Sequence, residues 1–190
     1  LNDGAGGYGC DQTFRLLRED LPTDADEDPV VILSVLVDDD LDRSILPFRS
    51  WPKPRLEIGP DGELLHPGPV MQDPLEYLDQ NPPRITSYLW RWLLHSTRVV
   101  PARTRLRWSG RPELFREVRR LNRRILEEAR TLLEQAGVEY FVLVFHGRGF
   151  LRDPPADKWR EAFLIRELER LRMPWTSSLA ALAADRERTG

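Results

Sequence analysis

The chain has 190 residues, 41% hydrophobic and 31% charged, with a formal net charge of −3. That is one domain of ordinary size with enough apolar material for a core, which excludes a disordered chain. No apolar run approaches the roughly 20 residues that span a bilayer, and one cysteine, Cys10, excludes an internal disulfide framework and a cysteine-based zinc site.

Taken in chain order, the first element is a glycine run, Gly4-Ala5-Gly6-Gly7-Tyr8-Gly9, followed by a short helix that Asp11 caps and that carries Phe14, Leu16 and Leu17. An acidic block follows: Glu19 to Asp42 holds ten carboxylates and no basic residue. Inside it, Pro29–Val37 is almost wholly apolar and reads as a strand buried on both faces, as in parallel sheets. It exits into Asp38-Asp39-Asp40. Ser50–Pro83 holds eight prolines and reads as an irregular insertion, with a hairpin around Pro60-Asp61-Gly62. A short helix, Ile85–His95, completes an insertion over residues 50–98.

Arg98–Arg124 holds ten arginines against Glu113 and Glu117. The plain reading is a solvated helix face; the sharper one is an anion or nucleic-acid patch, disfavoured by the scarcity of interleaved aromatics. From Glu113 to Ala136 the apolar residues recur at helical spacing, with Pro112 suited to the first turn and Gly137 to the stop. Val138–Phe145 is a second buried-strand run, ending at His146-Gly147-Arg148-Gly149. Ala156–Arg172 is an amphipathic helix, Met173–Thr176 begins a short strand, and Ser178–Asp185 turns helical. Helix then buried strand, repeated, predicts an α/β fold with a parallel sheet.

In such sheets ligands bind outside the carboxyl ends of the strands. Asp38-Asp39-Asp40 and His146 are therefore the candidate positions, with the glycine run as a third wall. Neighbouring carboxylates on an extended segment point in alternate directions, so the aspartates are not expected to hold a metal. Ser34 lies mid-strand, and His66, His95 and Cys10 have no catalytic partner at recognisable spacing.

The order of these motifs resembles one known family. Leu1–Gln12, with Gly7-Tyr8-Gly9 and then Asp11-Gln12 opening a helix, is similar to the second sequence block of the SGNH (GDSL-type) hydrolases. Pro29–Asp40 resembles the apolar strand and acidic exit of one branch. Trp51-Pro52-Lys53-Pro54-Arg55-Leu56, Gly62-Glu63-Leu64-Leu65 and Gly68-Pro69-Val70 resemble its following segments. The likeness spans nearly the whole chain.

The resemblance implies a three-layer α/β/α domain with a parallel sheet over 1–190, incomplete at both ends. It implies an ester hydrolase or acyl-transfer unit acting on an acylated carbohydrate or small ester, with no cofactor, metal or membrane span. Gly7 and Asp38 take the oxyanion-hole positions, with Tyr8, Asp39 and His146 as cleft candidates. Trp51, Tyr88, Trp90 and Trp92 are candidates for an acceptor cleft. Two departures stand out. The family's third-block Asn is Asp38 here, and an ionised carboxylate cannot donate to an oxyanion. The family's Ser block and its Asp-x-x-His block have no match in these 190 residues, so the unit is expected to be catalytically incomplete as given. A non-catalytic binding or scaffold module on the same fold is the alternative.

Overall fold

The computed structural model describes residues 8–21, 29–37, 39–46, 53, 56–66, 75, 79, 87, 89, 112–147, 150 and 158–189. Helix α1 spans Cys10–Asp20 and buries Cys10, Asp11, Phe14 and Leu17, spaced to lie along one helical face. Gly9, with extended backbone, holds the capping position. Asp11 lies inside the first turn and makes no capping bond, which corrects the cap expected from sequence. Its carboxylate turns to Lys53 instead.

Strand β1 is Val30–Leu36, followed by one turn of helix α2, Asp40–Arg43. The expected hairpin is present: β2 (Glu57–Ile58) pairs antiparallel with β3 (Leu64–Leu65) around a turn in which Gly62 has φ +82°. That left-handed backbone favours glycine. Most of the remainder of the insertion lies outside the described residues.

Helix α3, Pro112–Ala136, begins with proline and stops at Gly137, where φ is +66°. It feeds β4, Glu139–Phe145. Helix α4, Trp159–Leu171, ends at Arg172 in the left-handed region, its N–H donating to Glu169 O while Met173 N–H reaches back to Leu168 O. Strand β5 is Trp175–Ser177 and helix α5 is Leu179–Thr189.

The three longer-range strands form a parallel sheet ordered β1-β4-β5, with Val31 opposite Tyr140 and Val144 opposite Ser177. Successive crossovers step the same way across the sheet, and right-handed connections then put α3 and α4 on one face. The two helices pack against each other. The core lies between them and that face. Leu133, Phe163, Leu164, Leu168, Val142 and Val144 have essentially no exposure there, and each such side chain contributes about 1.5–3 kcal/mol.

The opposite face corrects a second expectation. Both buried-strand runs were expected to be covered on two sides. Val30 is 52% exposed, Ile32 56% and Phe145 40%. An apolar run records what a strand is made of; burial depends on which side its crossovers pass, and both pass on the other side. The architecture is a mixed α/β fold with a three-strand parallel sheet. No helix among the described residues is long and apolar enough to cross a membrane.

Candidate functional site

All three parallel strands end on one edge of the sheet. There Val37 N–H donates to Phe145 O and Ser178 N–H to Val144 O, both at 3.0 Å, so the ladder holds the three strand exits side by side. Two polar clusters stand on this edge.

The first surrounds the exit of β1. A Cβ added to Gly9 would meet Ser44 N at 2.8 Å and the Arg43 carbonyl carbon at 2.9 Å, so the glycine turn is pressed against the backbone after α2. Only glycine permits that approach. The Arg43 guanidinium gathers the segment: Nη1 donates to Tyr8 O (3.4 Å) and to Asp40 Oδ1 (3.0 Å), and Nη2 to Asp39 Oδ2 (2.5 Å). Asp40 Oδ2 accepts the Leu36 N–H at 2.8 Å, closing the end of β1. Burial raises the Asp40 carboxyl above its ordinary value, against the pull of the Leu36 N–H and Arg43. Asn122, fully buried on α3, donates to Leu41 O and Val118 O and accepts near the Ser44 hydroxyl, fastening α2 to α3.

Beneath this cluster Lys53 Nζ lies 2.8 and 3.1 Å from the two carboxylate oxygens of Asp11. Both side chains are nearly sealed from solvent. Burial pushes the Asp11 carboxyl up although Lys53 pulls it down. Burial, with Asp40 and Asp11 close by, also pushes the Cys10 thiol far up, so this cysteine stays a protonated core residue.

The second cluster joins the exits of β4 and β5. His146 follows β4 and its side chain has no exposure. Its Nε2 lies 3.0 Å from Glu161 Oε1, in the first turn of α4. Its Nδ1 lies 3.3 Å from the Ser178 hydroxyl, which also accepts the His146 backbone N–H at 3.0 Å. The Phe150 ring meets the imidazole edge-on, with centroids 4.7 Å apart.

Gly7 and Asp38, the two oxyanion positions implied by resemblance, lie outside the described residues, as do Trp51, Tyr88, Trp90 and Trp92. Their chain neighbours Tyr8 and Asp39 are brought together through Arg43. Asp39 is exposed and Tyr8 half-buried. His146 sits one strand along the edge, in the other cluster. Among the described residues no group of three or more His, Cys, Asp or Glu is placed to hold a metal ion. The His66 ring lies tilted beside Phe14, and burial lowers its pKa.

In the arginine-rich segment, the described part belongs to α3. Arg123 makes a two-pronged pair with buried Glu167, and Arg124 pairs with Glu127 and Glu128. Burial pushes Glu167 up, yet the bonds from Arg123 and Arg170 hold it below the usual value. These pairs leave less free positive charge than the sequence count suggested.

Sequence reading missed Lys53 as the partner of Asp11, and Glu161 and Ser178 as partners of His146. Ser178 did carry a signal, since it directly follows a strand at a carboxyl end.

Comparison with protein-family models, with curated proteins and with solved structures returns no match.

Proposed function

We propose that the carboxyl edge of the β1-β4-β5 sheet is an acyl-ester site of the SGNH kind, serving ester hydrolysis or acyl transfer on an acylated carbohydrate or small ester. The observation that carries this is the Arg43 guanidinium, which ties Tyr8 of the glycine turn to Asp39 after β1. The turn and the strand exit thus flank one place, as an oxyanion pocket formed by Gly7 and Asp38 requires. A carboxylate at position 38 accepts hydrogen bonds and repels a developing oxyanion, so the Gly7 N–H carries that role. The proposal includes the three-layer α/β/α architecture that the resemblance implies.

The test is an amide NMR titration of the 190-residue chain with an acetylated monosaccharide, using the unacetylated sugar as control. The reading expects shifts at Tyr8, Gly9, Asp39–Arg43 and His146 with the ester alone. Equal responses to both sugars, or responses confined to other elements, contradict it.

A further inference from the structure

We propose that Ser178, His146 and Glu161 form a nucleophile–base–acid set within this chain, with the Ser178 hydroxyl taking up the acyl group of an ester. This rests on reading the sheet edge as an ester site, and it places the reacting hydroxyl at the β5 exit.

The hydrogen-bond network assigns the proton positions. Ser178 Oγ already accepts the His146 backbone N–H, which leaves its own hydrogen free to donate. The acceptor within reach is Nδ1 at 3.3 Å. The Glu161 carboxylate can only accept, so Nε2 carries the ring hydrogen and donates it to Oε1 at 3.0 Å, which leaves Nδ1 the acceptor. Nucleophile, base and orienting carboxylate are thereby connected in series, which is the geometric requirement for activating a serine. The imidazole is fully enclosed, so water does not compete for Nδ1, whereas Ser178 is only half-buried.

The reaction balances with an ester and water. Ser178 Oγ adds to the ester carbonyl carbon as its proton passes to Nδ1. The C–O bond to the alcohol breaks, and the alcohol leaves with that proton. Water then adds to the acyl-serine, giving a proton to Nδ1. The carboxylic acid departs as the Ser178 oxygen regains that proton. Throughout, Glu161 holds the ring orientation and balances the transient imidazolium; it is a positioning residue.

A tie serving only to join β4, α4 and α5 gives no reactive hydroxyl, and that difference is measurable. The full chain is treated with a biotinylated fluorophosphonate, the adduct is mapped by peptide mass spectrometry, and p-nitrophenyl acetate hydrolysis is followed in parallel. The adduct is expected on Ser178. Ser178→Ala and His146→Gln are expected to lower turnover by at least about 100-fold. Glu161→Gln is expected to lower it too and to displace the pH–rate profile, with the circular dichroism spectrum retained. Adduct mapping on the wild-type chain decides the matter even where a variant fails to fold. An adduct elsewhere, or ester turnover unchanged in Ser178→Ala, overturns this set and leaves the ester site standing. An adduct on Ser178 without turnover of acetyl esters shows an activated hydroxyl but overturns its role in acyl transfer. Neither adduct nor turnover overturns both.

Discussion

The exits of β1 and of β4–β5 lie on the same sheet edge and are wired in opposite ways. At β1 charge closes on charge: Arg43 with Asp39 and Asp40, Lys53 with Asp11. Those bonds hold backbone segments against one another. At β4–β5 the chain of bonds runs from a hydroxyl through an imidazole to a carboxylate. Ion pairs fix geometry at a desolvation cost; a hydroxyl–imidazole series can also move a proton. The β1 cluster builds the edge; the β4–β5 cluster joins it to α4 and α5 through groups that can exchange a proton.

The largest expected effect comes from breaking the buried ion pair. Lys53→Met leaves the Asp11 carboxylate enclosed without its partner, and is expected to cost about 3–5 kcal/mol in urea unfolding. Asp11→Asn combined with Lys53→Met is expected to recover much of that loss. If the single variant costs nothing, the pair does not build the edge. His146→Gln is expected to lower ester turnover while shifting the urea midpoint less than Lys53→Met does.

A middle-sized effect is expected at Gly9. Gly9→Ala drives a methyl into the backbone of Arg43 and Ser44, at about 1–3 kcal/mol. Because it separates Tyr8 from Arg43, it also weakens the ester response at Tyr8 and Asp39. Full retention of both stability and that response breaks the link between turn and strand exit.

The smallest effect is a slope in stability against pH. The folded-state Asp40 carboxyl is raised from an ordinary value of 3.8, so its contribution is fully present below that value. It is lost as pH rises through the folded value. Glu167 is lowered from 4.5, so its contribution is present above that value and is lost as pH falls through the folded one. Urea midpoints measured upward from about pH 4 are expected to decline less in Asp40→Asn than in wild type. Identical slopes contradict the burial argument at the β1 exit.

Much of the framework was legible because its signals are local. The apolar stripe ending at Gly137 marked α3 to within a residue of Pro112–Ala136, and the run to Phe145 marked β4. The open face of β1 was not legible, since Val30 and Ile32 are apolar whichever side the crossovers take. The two clusters were legible only as positions after strands. Asp11 and Lys53 are 42 residues apart, and His146 and Ser178 are 32 apart. Their meeting depends on strand order, which no local pattern encodes. Asn122 is the intermediate case: a polar residue beside Leu121 on an apolar stripe marks a buried tie, though not its partner.

The most direct measurement of the central claim is the protonation pattern of the His146 ring, read from a long-range nitrogen–proton NMR correlation spectrum near neutral pH. The account predicts hydrogen on Nε2 and a bare Nδ1 accepting from Ser178. Hydrogen on Nδ1 would make Ser178 the acceptor of the ring hydrogen, leave no base for its hydroxyl, and contradict that pattern.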